Sequence, residues 1–511
     1  MFNQAAVTEE TMNLMRGAGD TAEDMIKAWF QPTGATTGIQ NYSLMKPALS
    51  LFPVITPIMN SLSMSDDEQP AGGIQANWKA VTGINTTGMS AGLSEGNRGG
   101  AITTSTADYY AAYKSFGHDD FVTDEARDAA KDYLDLLARA QANLLFAVRI
   151  SMERVVLGGQ GTYALARPAA PSLATATTGG SLGATQTISV IVAPLTLSGF
   201  RNGSIAAGVP GLVARTNMDG SIDNYGGGTG PRSPNATVTT GAGATNSITA
   251  TTPATAGVVA WAWFWGAAGA ETLGAITTIN SVLITAAATG TQTAASLGAA
   301  ATDFSQNSLE CDGLIAINAK QGMGTFTYSM PTGAAGTGTP LTADGKGGIV
   351  EFDLVTKWMW DNLRLGPSVI YVSSQEQENI TQKVLSSPSG SGAQRFVITA
   401  NQGNIMGGDL VTAYLNKFGN NYDAKTGQGA KVVPIVCHPD LAPGTVIFDT
   451  NVLPYPLNDV PSVKRFLPIQ NWFATLWPRV RRRYEYGVYI RGVLQHFFPP
   501  STVVINNIAN G

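Results

Sequence analysis

From Thr123 to Leu157 apolar residues recur at helical spacing, and any fold of this chain has to accommodate that stripe. Tyr133, Leu137, Ala140, Leu144, Val148, Met152 and Val155 repeat every three or four residues, and Leu136, Leu145 and Val156 widen the face. Thr123 is placed to cap the helix, with Asp124 and Glu125 in its first turn, and Gly158 and Gly159 stop it. At about 1.5 Å per residue the helix would be roughly 50 Å long. Such a length is well above the usual mean of about 11–12 residues and suits a spine on which other elements hang.

Charge limits what surrounds that spine. Of 511 residues only 13% are charged while 44% are hydrophobic, against a usual charged share of about 25%. A chain so poor in charge either crosses a membrane or hides its surface against partners. No segment offers the roughly 18 uninterrupted apolar residues of a membrane helix. Glu9 and Glu10 precede any basic residue, so no secretory signal is expected. Extensive burial between subunits remains. The net charge of −5 lacks the basic stripe of a dedicated nucleic-acid binder. Two cysteines, Cys311 and Cys437, give no disulfide framework, and three histidines leave little material for metal or acid–base chemistry.

Along the chain, six stretches differ in pattern. Residues 1–73 read as an arm, with a helix over Thr8–Phe30 whose apolar side is Met12, Met15, Met25, Ile26 and Phe30, followed by Pro32, Pro47, Pro53 and Pro57. Residues 74–117 read as a long β-hairpin, with strands Gln75–Ile84 and Ala101–Phe116 and a polar, Gly-rich tip. Residues 118–163 hold the spine helix. Residues 164–302 turn to Ala, Thr, Gly and Ser, with alternating strands at Thr187–Leu197, Ser247–Thr252, Val258–Phe264 and Thr277–Thr285. Their opening, RPAAPSLATATTGGSLGATQTISVIVAPLTLSGF, resembles a fibronectin- or immunoglobulin-like module, and predicts an inserted β-sandwich. Residues 303–445 predict a compact α+β unit. Its helices are Gly348–Leu363 and Gln375–Leu385, and its strands Ser368–Val372, Arg395–Thr399, Leu410–Tyr414 and Lys431–Val436, with a loop at 415–429. Residues 446–511 predict closing strands at Ala474–Val480, Tyr484–Ile490 and Val493–Phe498.

The order of arm, hairpin, spine helix, α+β unit and returning strands resembles the Hong Kong 97 fold of tailed-bacteriophage and herpesvirus major capsid proteins. The stretches CDGLIAI (311–317), PLTADGKGGIVEFDLVTKWMWDN (340–362) and GPSVIYVSSQEQENITQKVL (366–385), with the closing Arg-rich strands, carry the likeness. It covers about 74–160 and 303–511 and leaves the sandwich out. The resemblance implies an α+β fold with an N-terminal arm (1–73), an extended loop (74–117) reaching over a neighbour, and a peripheral domain built on the spine (118–163). It further implies an outward-projecting insert (164–302), a peripheral and axial unit (303–445), and strands returning to the peripheral domain (446–511). It implies a non-enzymatic subunit without cofactors or metals that forms pentamers and hexamers of an icosahedral shell around double-stranded DNA. A net-acidic wall would enclose that DNA with only weak, non-specific contact. Portal, scaffolding and decoration proteins are the further partners, the virion capsid is the location, with assembly in the host bacterial cytoplasm, and no membrane is involved. Some relatives link a loop lysine covalently to a neighbour; neither Lys79 nor Lys114 matches that motif, so no such link is expected.

Contact candidates follow from the hairpin and the basic end: Trp78, Lys79, Arg98, Lys114, Arg479, Arg481, Arg482 and Arg483. The arginine cluster could serve DNA phosphates or acids such as Asp119, Asp120 or Asp124 on neighbouring subunits. Strand neighbours such as Cys437 and His438 point apart, which spoils a catalytic dyad. His118, Asp119 and Asp120 read as a polar turn rather than a metal site. Asn217, Asp219 and Asp223 lack the terminal Glu of a calcium loop, and GGQGT at 158–162 lacks the Lys-Ser/Thr of a phosphate loop. Trp261, Trp263 and Trp265 share one face at period two, as either a sandwich core or a sugar platform. The second option defines the alternative function, a virion-surface or adhesin-type glycan-binding β-sandwich protein.

Overall fold

The computed structural model describes residues 55–64, 73–85, 92–99, 101, 103–130, 135–385, 410–418, 432–451, 460 and 462–511. The expected arm helix Thr8–Phe30, the strand Arg395–Thr399, part of the hairpin tip and most of the 415–429 loop lie outside those residues.

The chain opens with a short helix α1 (Pro57–Ser61) and strand β1 (Ser63–Met64), then β2 (Gln75–Asn85), β3 (Thr103–Ala112) and β4 (Lys114–Thr123). Two helices follow where the stripe predicted one: α2 (Asp124–Ala130) and α3 (Leu136–Gly158). Thr123 does cap the first, its Oγ1 accepting from the Ala126 N–H at 3.3 Å. Asp135 caps the second, accepting from the Ala138 N–H at 3.1 Å. An aspartate that satisfies a free N–H locally starts a helix rather than continuing one, and this divides the expected spine. The remaining 23 residues of α3 span roughly 35 Å. Gly158 and Gly159 end the helix and also allow close packing. A Cβ on Gly158 would meet Leu197 at 2.6 Å, and one on Gly159 would meet the Cys311 carbonyl at 2.6 Å. The GGQGT run is therefore a packing device.

The alternating middle region gives β5 (Ser172–Ala176), β6 (Thr187–Leu195), helix α4 (Leu197–Asn202), β7 (Leu212–Thr216), β8 (Ile222–Gly226), β9 (Ala236–Thr239), β10 (Ser247–Thr251), β11 (Ala260–Gly266), β12 (Thr272–Thr277) and β13 (Ser281–Ile284). They form sheets in the orders β13-β10-β5 and β12-β11-β6-β9, with β7–β8 a separate hairpin. One buried cluster draws Ile188, Val190 and Val192 from one sheet and Ile248, Ala250, Val282 and Ile284 from the other. The body does not stand apart from the rest of the chain, as an added decoration would. Leu197 and Val259 belong to the main core beside Leu157 and Leu314. The Asn280 N–H donates to Asn507 Oδ1 at 2.7 Å, and Asn506 Nδ2 donates to the Thr255 carbonyl at 3.1 Å.

The remaining elements are helix α5 (Leu314–Ala319), β14 (Phe326–Ser329), helix α6 (Val350–Leu363), β15 (Val369–Val372), helix α7 (Ser374–Leu385), β16 (Ala413–Leu415), β17 (Val432–Cys437), β18 (Val446–Asp449), β19 (Lys464–Leu476), β20 (Arg483–His496) and β21 (Val503–Asn506). A six-stranded sheet runs β14-β21-β18-β15-β17-β16. Phe352, Val355 and Met359 of α6 and Ile380 of α7 pack on its Ile370, Val372, Val446, Phe448, Val503 and Ile505. The expected division at 445/446 cuts through this sheet, because β18 pairs with β15 and with β21. A second, four-stranded sheet runs β1-β19-β20-β4. Here a single strand β20 replaces the two expected at 484–498, because its bonds to β19 continue through Gly492. A Cβ on Gly492 would meet the Phe466 ring at 2.5 Å. The N-terminal half of α3 lies on this sheet, where Leu136, Leu137, Ala140, Leu144 and Leu145 meet Val122, Tyr486 and Val488.

Candidate assembly interface

The β2–β3 hairpin pairs from Gln75↔Ala112 out to Asn85↔Thr103, with a bulge between Val81 and Gly83. Eleven residues in β2 at about 3.3 Å each give a ribbon roughly 35 Å long. Its root is fixed. Ala76 and Tyr113 are buried in the main core, and the Trp78 indole N–H donates to the His496 carbonyl at 3.0 Å. Beyond that root β2 and β3 form a sheet of two strands only. Ile74, Val81 and Tyr110 are 79%, 67% and 76% exposed, and the first four residues of β3 are all exposed. Two-stranded ribbons without a covered face are marginal in water. This one carries apolar side chains and an open pairing edge, which fits a segment that is covered by something else.

The predicted contact residues divide. Trp78 anchors the root and stacks near Tyr109, with ring centroids 6.0 Å apart. Lys79 pairs across the ribbon with Asp108 at 3.2 Å, and Lys114 donates to the Ser308 carbonyl at 2.6 Å. Arg98 is exposed in the described part of the tip. At the other end, three of the arginines pair with acids of their own chain. Arg479 reaches Asp124, Arg482 reaches Glu125 at 3.0 Å, and Arg483 reaches Glu485 at 2.5 Å. The antiparallel register of β20 on β4 sets Arg483 opposite Thr123, which brings these arginines to the start of α2. There the acids also complement the helix N-terminus. Tyr484 adds a ring 4.2 Å from Arg479 and 4.8 Å from Arg127. Arg481 is exposed and has no side-chain partner among the described residues.

Other candidate chemistry resolves into structure. Cys437 is exposed while His438 is buried, so the two do not meet. Burial pushes the Cys311 thiol up to about 12, which keeps it protonated. His118 bonds to Ser151 at 3.0 Å and its pKa is lowered, first by burial and then by Arg215. Asp119 and Asp120 accept from the Tyr489 and Tyr486 hydroxyls. In the 217–223 turn, Asp223 takes Arg215 at 2.8 Å and Asn217 at 2.9 Å, and Asp219 takes the Ser221 N–H at 2.9 Å, so these oxygens are occupied. Among the described residues no group of three or more His, Cys, Asp or Glu is arranged to hold a metal, and no helix is long and apolar enough to cross a membrane. Trp261, Trp263 and Trp265 are 3%, 0% and 7% exposed. Trp263 donates to Thr277 Oγ1 at 2.8 Å and Trp265 to the Ala286 carbonyl at 3.0 Å. The opposing β10 and β13 cover this face, so it offers no platform to a sugar, and the glycan-binding alternative loses its basis.

One junction has no counterpart in the sequence reading. Glu153, wholly buried on α3, accepts the N–H groups of Ile58 at 2.8 Å and Met59 at 2.7 Å. It also meets His438 Nε2 at 2.8 Å. The Asp440 N–H donates to His438 Nδ1 at 3.1 Å, so the ring proton sits on Nε2 and faces Glu153. Asp440 in turn binds Arg154 at 3.2 Å and Arg201 at 2.5 Å. The junction joins α1, α3, α4 and the end of β17. The only local hint is Glu153-Arg154 interrupting an apolar stripe.

No protein-family model matches the chain, and no curated protein matches it. Comparison with solved structures finds phage capsids. The capsid of Myoviridae phage XM1 is 8% identical over 93% of this chain and 100% of that chain, at a TM-score of 0.36. The cyanophage A-1(L) capsid asymmetric unit is 9% identical over 93% and 98%, at 0.40. The mature capsid of bacteriophage PhiM1 is 8% identical over 96% and 98%, at 0.33.

Proposed function

We propose that this chain is a major capsid protein of a tailed bacteriophage, a structural subunit and not an enzyme. In this reading copies overlap through their hairpins to form pentamers and hexamers of an icosahedral shell around double-stranded DNA. The observation that carries it is the β2–β3 ribbon, rooted in the core at Ala76, Trp78 and Tyr113 and bare along its outer length. A ribbon of that kind adds contact area per subunit without a larger core. Apolar burial contributes about 25 cal/mol per Å², and obligate interfaces commonly exceed about 2,000 Å². Ring closure requires heterologous contacts, in which a projecting segment meets a different patch on the next copy. Three basic residues of the β19–β20 end are engaged by acids of their own chain, which agrees with a wall that holds DNA weakly. Portal, scaffolding and decoration proteins are its expected partners, and the host bacterial cytoplasm its site of assembly.

Electron microscopy of the purified protein tests the reading. Closed particles or five- and six-membered rings are expected. A chain shortened by removal of 81–105, which keeps Trp78 and the root, should stay folded by circular dichroism and fail to form them. Normal particles from that chain would overturn the role given to the hairpin.

A further inference from the structure

Lys464 and Asp449 form an ion pair whose side chains are 2% and 1% exposed, the most buried lysine–carboxylate pair among the described residues. Lys464 opens β19 in the four-stranded sheet and Asp449 closes β18 in the six-stranded sheet. Neither Lys464 Nζ nor Asp449 Oδ2 makes a hydrogen bond of normal geometry. The other carboxyl oxygen is served: Thr502 Oγ1 donates to Asp449 Oδ1 at 2.9 Å. His496 stands directly across from Lys464 in the sheet, with its Nε2 3.1 Å from Thr502 Oγ1. The Phe498 N–H donates to His496 Nδ1 at 3.2 Å, which leaves the ring proton on Nε2. A donor chain thus runs from imidazole to hydroxyl to the carboxyl group.

A charged pair removed from water in this way is poorly solvated, and a proton passing from the ammonium to the carboxylate leaves a neutral amine beside a neutral acid. A desolvated neutral amine is a nucleophile. Two strands of different sheets hold it against its target, so the entropy of bringing the groups together has already been spent.

We propose that Lys464 and Asp449 condense to an amide bond within the folded chain. The Nζ lone pair attacks Cγ of Asp449, the Cγ–Oδ2 bond breaks, and that oxygen leaves as water with two of the three ammonium protons. The third proton stays on the amide nitrogen, so no other reactant is needed. The Thr502 hydroxyl, backed by His496, stabilises the charge that develops on Oδ1 during attack. Burial keeps water from the product, and the amide replaces two buried charges with a neutral group. The bond would join the two large sheets across 450–463 in every copy. It does not depend on assembly.

Intact mass of the full-length chain, measured under denaturing conditions after the folded protein has aged to constant mass, tests this. The expected value is one water below the sequence mass, with one branched peptide joining Lys464 to Asp449 after digestion. Lys464→Met and Lys464→Arg chains should keep the full sequence mass whether or not they fold well. The wild-type chain at full mass would show a plain ion pair and overturn the proposal. So would a water loss that maps to an Asp–Gly step such as Asp219–Gly220 or Asp344–Gly345.

Discussion

Replacing Glu153 tests whether the buried junction holds the chain together at α1. The carboxylate accepts three donors, the N–H groups of Ile58 and Met59 and the Nε2–H of His438. Glu153→Gln can keep its carbonyl oxygen where Oε1 serves Ile58 and His438, and then turns its NH2 toward the Met59 N–H, so one of three bonds is lost. At about 1–2 kcal/mol for a buried donor left without an acceptor, the cost is about 1–2 kcal/mol. Glu153→Met fills similar volume and loses all three, at about 3–5 kcal/mol, the range for removing one side of a buried pair. Hydrogen exchange reads this locally: opening at Ile58 and Met59 should rise by about 5–30-fold for each 1–2 kcal/mol lost. Urea midpoints followed by tryptophan fluorescence read it globally. If Glu153→Gln leaves both amides as protected as in the wild type, and Glu153→Met is no worse, the junction does not secure α1.

Three further outcomes follow from packing and titration. Gly274 lies so close to the Trp265 ring that a Cβ there has no room; Gly274→Ala should cost about 1–3 kcal/mol by overpacking, read as a lowered melting temperature, and an unchanged value would refute it. Removing 164–302 should abolish soluble folding, since it strips Leu197 and Val259 from the main core and Asn280 from Asn507; a soluble, folded remainder on gel filtration would show that this stretch is dispensable. Burial raises the Glu310 carboxyl to about 7. The folded state therefore keeps a proton that the unfolded state releases near its ordinary value of about 4.3, so this contribution is complete below that value and fades as pH rises through 7. Relative to Glu310→Gln, the wild type should lose urea stability between about pH 4 and pH 7; a constant difference would exclude Glu310 as the source.

What the sequence discloses is mostly local. The apolar stripe from Leu136 to Val156 survives as the buried face of α3, because spacing is set by the helix itself. The break before it leaves no signal, because Asp135 fits the polar side of a continuous helix as well as it fits a cap. The expected strand Gln75–Ile84 matches β2 to within one residue, whereas Ala101–Phe116 spans both β3 and the start of β4, since Tyr113 at the joint keeps the alternation. Pairings between distant residues carry no local signal. Arg479 and Asp124 are 355 residues apart and His438 and Glu153 are 285 apart. Period two correctly put Trp261, Trp263 and Trp265 on one face, but only the second sheet decides that the face is interior.

The same distinction bears on the low charge. A deficit of charge can be met by a larger interior or by apolar surface left for another molecule, and composition does not separate the two. In the fold it goes both ways. The sheets of residues 172–284 and the main body share an interior through Leu197 and Val259, which absorbs part of the Ala- and Thr-rich middle region. The apolar residues left outside gather on projecting parts. Ile74, Val81 and Tyr110 are on the ribbon, Leu212 and Ile222 on the β7–β8 hairpin, Leu410, Leu415 and Val432 at the β16–β17 edge, and Leu476 and Val480 at the β19–β20 turn, between 56% and 85% exposed. Scattered exposed apolar residues would need no explanation. Grouped on two hairpins, a sheet edge and a turn, they mark four separate places where a neighbour can be met. A closed ring needs at least two distinct patches per subunit, and a shell of rings needs more.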